Sequence, residues 1–342
     1  MVFKRIAAGI GLGVVLLAGQ PAEAATFAGQ NGRVAYVTAS GGVWTVDGKG
    51  GQAQRLLSRN AQDITWSPDG ASLAFVEPRK NGNKRVAVMN VGTGAVRYVT
   101  QRPHASEGTP VWSYGGSRLA FVRTLHTKTG DRSAVFAVNI KDGNEQNISG
   151  WSTQLSYRAP SWEPGDRRMV YEELSAASSR LLIQELATGA TRELVGLSDV
   201  TSSSKASWSP NGKKILFTDS DGQVYTIWAD GTHRSVISDG DSYEASWSPD
   251  GSRIAFLEDF SGESISVSGP DGSVSYVPLS LAGYDNVSAP VWSPDGTKLS
   301  FTAARTGTNA RDLFVTTIQE TTPSVVRQAF NVQADVTWQV WH

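Results

Sequence analysis

The sequence predicts an all-β protein: a seven-bladed β-propeller of four-stranded antiparallel blades, closed by pairing of the C-terminal strand with the N-terminal strands. Three observations predict it. Trp66, Trp112, Trp162, Trp208, Trp247 and Trp292 each open a copy of one segment, and Trp338 opens a truncated last copy, at intervals of 46, 50, 46, 39, 45 and 46 residues. A period in this range marks stacked supersecondary units. Each unit carries four short strand signals separated by turn residues, the make-up of a propeller blade. The two ends of the chain are complementary halves of one unit.

The best-formed copy is Ser246-Trp247-Ser248-Pro249-Asp250-Gly251, followed by Arg253-Ile254-Ala255-Phe256. The Trp sits on the first strand. Pro presets φ for the first central turn position, Asp suits the second, and Gly accepts positive φ after it. That chemistry suits a short hairpin. The second strand is apolar: Leu73-Ala74-Phe75-Val76, Leu119-Ala120-Phe121-Val122, Met169-Val170-Tyr171, Ile215-Leu216-Phe217, Ile254-Ala255-Phe256-Leu257 and Leu299-Ser300-Phe301. A third strand follows, such as Val135-Phe136-Ala137-Val138 or Val224-Tyr225-Thr226-Ile227-Trp228, and a Gly turn leads to a fourth, such as Ala95-Val96-Arg97-Tyr98-Val99. At the start, Asn31 to Val37 is a second strand with no Trp strand before it. At the end, Val336-Thr337-Trp338-Gln339-Val340 is a Trp strand with no turn after it. Counting second strands, from Val34 to Leu299, gives seven blades. Ring closure removes exposed sheet edges.

Residues 1–24 read as a signal peptide. Lys4-Arg5 is a basic start, Ile6 to Ala18 a short apolar run, and Ala22-Glu23-Ala24 a cleavage site of small residues. The run is too short to span a bilayer. The expected mature chain, residues 25–342, is a single propeller domain, secreted to the periplasm or the medium, with no membrane span once the signal is removed. Losing Lys4, Arg5 and Glu23 takes the formal charge from −1 to −2. No basic field then exists for nucleic acid. The chain has no cysteine, so disulfides and thiol lipidation are both excluded.

In a four-stranded meander, the Ser-Pro-Asp-Gly turns and the turns after the third strands share one face. The loops after the second strands and between blades share the other. The first set is uniform and the second is long and individual, so binding is expected on the variable face. Residues just before the Trp strands are expected to ring the channel mouth there: Asp63, Glu107, Arg158, Lys205, Glu244, Asp285 and Asp335. Five acidic and two basic, they favour a polar or cationic ligand slightly over a polyanion, against the alternative of solvated loop charges. Trp151, Tyr157, Tyr243 and Tyr284 fall between blades and are the candidate contact aromatics. The repeat tryptophans hold one register and are expected to be packing core rather than a sugar platform.

The recurring Trp-Ser-Pro-Asp-Gly-x-x-(Leu/Ile)-Ala-Phe resembles the TolB-type propeller repeat, also called PD40 or WD40-like. No Gly-His and Trp-Asp pairs recur in register, so it departs from true WD40 repeats. The resemblance implies a periplasmic or secreted interaction scaffold. TolB itself adds an N-terminal α/β domain to a six-bladed propeller that binds a peptidoglycan-associated lipoprotein. Here about six mature residues precede the first strand, so that domain is expected to be absent and TolB's own role is not carried over.

No Gly-x-Ser-x-Gly occurs. The four histidines, His104, His126, His233 and His342, have no metal spacing, unlike the His-rich clusters of oligogalacturonate lyases that share this repeat type. His104 and His126 read as exposed loop side chains, with a meeting across blades 2 and 3 beside Glu107 or Asp131 as the alternative. Asp219 to Gly222 and Asp239 to Asp241 lack the spaced ligands of a calcium loop. No catalytic residue, metal or cofactor is assigned. The expected function is a non-enzymatic, monomeric binding scaffold that recognises a protein or cell-envelope component through the variable face. The alternative is a lyase or hydrolase acting on an extracellular carbohydrate or peptide at the channel, with acidic residues such as Glu244 and Asp335 as acid and base.

Overall fold

The structure is a computed structural model, and it describes residues 28–48, 51–175, 179–197, 206–219, 221–238, 240, 242–258, 264–275, 283–288, 290–318 and 325–341. The signal peptide expected over 1–24 and Lys205 therefore lie outside the described residues, as do the side chains of Tyr243 and Asp335.

Seven four-stranded antiparallel blades form a ring. In blade 3 the strands run Ala105–Trp112, Arg118–Leu125, Arg132–Asn139 and Glu145–Asn147, from inner to outer. Blade 2 spans Gln62–Trp66 to Val96–Tyr98, and blade 4 spans Ser156–Trp162 to Thr191–Leu197. Blade 5 runs from Ser207–Trp208 to Ser235–Val236, and blade 6 from Ser242–Trp247 to Val274–Ser275. The inner position of blade 7 is shared by two short pieces, Tyr284–Asp285 and Val291–Trp292.

Closure follows the predicted pairing of the C-terminal strand with the N-terminal strands. The long strand Val325–Trp341 supplies two blades. Its first part pairs with Arg311–Thr317 as the outer strand of blade 7. Its second part pairs with Gln30–Thr38, aligning Tyr36 with Val336 and Val34 with Trp338, as the inner strand of blade 1. Blade 1 is completed by Val43–Asp47 and Gln54–Leu57.

The core is a chain of blade junctions. Alternation along each second strand sends successive residues to opposite neighbours. Leu73 and Phe75 pack with Ala35, Val37 and Val43 of blade 1, while Ala74 and Val76 pack with Trp112 and Phe121 of blade 3. Clusters of this kind occupy all seven junctions among the described residues, including the closing one, where Val34 and Tyr36 meet Leu313, Val332 and Trp338.

The repeat residues are the clasps between blades. Trp112 and Trp162 donate their indole N–H to Thr65 O (3.2 Å) and Val111 O (3.0 Å), each acceptor preceding the Trp of the blade before. Trp247 and Trp292 repeat the bond to Ser207 O and Ser246 O. The basic residue at the start of a second strand lies over the next blade's Trp: Arg118 over Trp162 at 4.5 Å, Arg168 over Trp208 at 4.8 Å, Arg253 over Trp292 at 5.1 Å. That basic position has no motif of its own and is missed in the sequence. On the turn face, Ser248 Oγ donates to Asp250 Oδ1 (2.6 Å), and Asp250 Oδ1 accepts from Ser252 N–H (3.0 Å). Gly251, at φ +69°, lies so close to the preceding blade that a Cβ there would stand 3.2 Å from Pro210 Cδ.

Candidate functional site

The inner strands begin earlier than the tryptophans imply, and each bends. In blade 3, Gly108 pairs with Val122 but Val111 with Ala120, so one extra residue is accommodated. Blades 2, 4 and 6 carry the same shift, three residues before the Trp. The residue at the bend has positive φ: Asp63 (48°), Thr109 (52°), Ala159 (44°) and Glu244 (57°). A non-Gly residue in this region costs about 1–2 kcal/mol, and bulges of this kind re-aim side chains beside functional sites. Two of the bends are tied together, because Thr109 N–H donates to Asp63 Oδ2 at 3.1 Å. Charges expected just before the strands therefore lie within them.

Between the inner strands of blades 3, 4 and 5 is a cavity of about 720 Å³. Ser106 to Thr109 and Val111 form one wall, Tyr157 to Ser161 the facing wall, and Ala206 with Ser207 the far side. Val122 and Thr124 of the second strand of blade 3 lie behind, and Lys84 reaches it from blade 2. Arg158 and Lys84 stand at the ends of their strands that face the variable loops. Arg158 is exposed and Lys84 half-buried, and neither has an ion-pair or hydrogen-bond partner among the described residues.

The carboxylate on this cavity is engaged behind the wall. Glu107 is 2% exposed, and its Oε1 accepts from Arg123 Nε at 2.8 Å. The Thr100 hydroxyl donates to its other oxygen. Arg123, fully buried, also forms a two-pronged pair with Glu145 at 2.8 and 2.6 Å, and its guanidinium lies 4.4 Å from the centre of the Phe136 ring. Burial pushes the Glu107 carboxyl above its ordinary range, against the opposing pull of Thr100 and Arg123. Burial acts the same way on Glu145, but Arg123 and Arg102 overcome it and hold that carboxyl low.

The predicted site residues divide accordingly. Glu107, Tyr157 and Arg158 come together at the cavity. Tyr157 is not a loop aromatic: it lies on the inner strand, is 5% exposed and meets the Tyr171 ring edge-on at 5.9 Å. Glu107 belongs to a buried ion network rather than an open ring of charge. Asp63 and Glu244 sit at strand bends, and Asp285 on the short piece Tyr284–Asp285. The Tyr284 hydroxyl is held by Asp312 (2.7 Å) and Arg327 (2.9 Å), and its ring meets Phe314 at 4.9 Å. Asp335 is three residues before Trp338 on the closing strand, and Tyr243 pairs with Leu257. Trp151 is 36% exposed but lies beyond the outer strand of blade 3, against Phe136 and Arg132, away from the cavity. His104 and His126 lie on one blade rather than two: His126 N–H donates to His104 O at 2.9 Å, and the His126 ring faces Asp131 at 3.0 Å. Lys84, Thr109 and Pro160 were missed, since none carries a motif, and the bends beside Thr109 and Pro160 are set by strand pairing. No group of three or more His, Cys, Asp or Glu among the described residues is arranged to hold a metal.

Residues 117–277 match the family model described as the TolB beta propeller domain, PD40. No curated protein matches the sequence. Among solved structures, TolB from Acinetobacter baumannii superposes with a TM-score of 0.58 at 18% identity, over 90% of this chain and 82% of that one. A puromycin-hydrolysing peptidase of Mycobacterium tuberculosis gives 0.66 at 14%, over 92% of this chain and 55% of its own, so the present chain spans about half of that enzyme. An oligogalacturonate lyase in complex with manganese gives 0.58 at 13%, over 89% and 98%. At these identities the likeness is one of fold. The seven blades and their junctions make this chain a seven-bladed β-propeller, and over residues 117–277 it is similar to the TolB beta propeller domain family.

Proposed function

We propose that the mature chain, residues 25–342, is an exported, monomeric binding scaffold without enzymatic activity, which recognises a protein or cell-envelope component through its variable-loop face. The cavity between blades 3, 4 and 5 carries this reading. It is a preformed hollow on a rigid ring, and its two cationic side chains are unpartnered among the described residues. Its carboxylate, Glu107, is committed to Arg123 and Thr100, which favours holding a ligand over acid–base turnover. The leader read over residues 1–24 supports export, as does the likeness to TolB; no described helix is long and apolar enough to cross a membrane.

The test is affinity capture of the mature protein from the envelope and culture fluid of its source, compared with a Lys84→Glu/Arg158→Glu variant. A reproducible partner lost from the variant is expected. Identical partner profiles for the two proteins would remove this face from the function.

A further inference from the structure

We infer that the cavity between blades 3, 4 and 5 takes a small amphiphilic anion, one carboxylate or phosphate group on an apolar body. This rests on the reading above that this face binds, and it adds the chemical class of what enters. The seven mouth charges taken from the sequence lean acidic and suggest a cation. The structure reverses that sign locally. Glu107 is buried and neutralised by Arg123, whereas Lys84 and Arg158 both line the cavity with no partner among the described residues. A guanidinium and an ammonium that line one hollow, neither of them paired among the described residues, make a site for an anionic group.

The rest of the cavity is mainly apolar. Val111, Val122, Tyr157 and Pro160 line it, and such a lining rewards burial of hydrocarbon in proportion to area. A volume of about 720 Å³ lies in the range of small-ligand sites, roughly 300–1,000 Å³. Two cationic side chains on a mainly apolar hollow fit a ligand with one anionic head and an apolar body better than a polyanion laid across the disc. The inner-strand bends at Thr109 and Ala159, residues of positive φ, both lie on the cavity wall, and strained backbone of this kind clusters at binding sites.

Calorimetric titration of the mature protein with decanoate, decyl phosphate and decylamine, each below its micelle concentration, tests this. Saturable binding of at least one anion and none of the amine is expected, and whichever anion binds more tightly identifies the head group. Arg158→Ala, at an exposed position, is expected to weaken the anion about tenfold, the loss of one charge-assisted hydrogen bond. Ala206→Trp, which fills the far wall, should abolish binding; if that variant does not fold, Arg158→Ala alone decides. Failure of both anions to bind, equal binding of decylamine, or indifference to Arg158→Ala would overturn the inference. The capture experiment is independent of it: a partner lost with the Lys84→Glu/Arg158→Glu pair while no anion binds would sink the ligand class and leave the binding face standing.

Discussion

Arg123 shows how much a single side chain decides in this molecule. A fully buried guanidinium holds two carboxylates, Glu107 and Glu145, at 2.6–2.8 Å. Breaking one partner of a buried pair leaves an uncompensated charge. Arg123→Met is therefore expected to cost about 3–5 kcal/mol, read as a shift in the urea midpoint. Much of the loss should return when Glu107→Gln is added, since the remaining buried acid is then neutral; no recovery would show that the pair does not act as a unit. The same residues set the acid response. Glu145 and Glu77 are held below their ordinary value of 4.5, so the stability they add is complete above that pH and lost as pH falls through their lowered values. Glu107 is shifted upward, so its own contribution runs the other way and declines as pH rises from 4.5 through its raised value. A melting temperature followed from pH 7 downward should drop below about 4.5, and Glu145→Gln should make that drop shallower. An unchanged slope would mean the Arg123 pairing is not retained in solution. None of this network is legible in the sequence: Glu107, Arg123 and Glu145 lie on three strands and acquire their burial from pairing.

The repeated strand and turn were legible almost in full. Turn residues act over four or five neighbours, so Ser248, Pro249, Asp250 and Gly251 announce their hairpin without help from the rest of the chain. What they do between blades was not. The tryptophans were readable as core, but their indole N–H groups are donors across blade junctions, as from Trp162 to Val111 O at 3.0 Å. Trp162→Phe keeps most of the ring volume and leaves that part-buried carbonyl without its donor. It is expected to cost about 1–3 kcal/mol, measured by chemical denaturation, and Trp162→Ala about 3–5 kcal/mol. Equal losses for the two would assign the whole effect to packing. The inner strands were mislocated because their bends lie outside any local pattern. An extra residue at Thr109 or Ala159 moves Glu107 and Tyr157 from the expected loops into the sheet.

The ring as a whole is held shut by its last strand. Val325–Trp341 is the outer strand of blade 7 and the inner strand of blade 1 at once, and it supplies Ala329, Val332 and Trp338 to the closing junction. A chain ending at Ile318 would expose two sheet edges and the apolar faces of blades 1 and 7. It is expected to lose its cooperative thermal transition; a truncated chain that melts like the parent would show that closure does not govern stability. Blade number, strand order and the closing pair follow from the period and from the complementary ends, because stacking repeats interact chiefly with their neighbours and a period states which neighbours exist. The cavity does not follow from it. Lys84, Glu107, Arg158 and Ala206 lie on four different blades, successive members standing between 23 and 51 positions apart in the sequence. Stacking of successive blades brings them to one cavity, and burial selects which charges are neutralised and which remain open. Turn chemistry and repeat spacing are local along the chain; the sign of the charge on the cavity is a property of distant strands packed together.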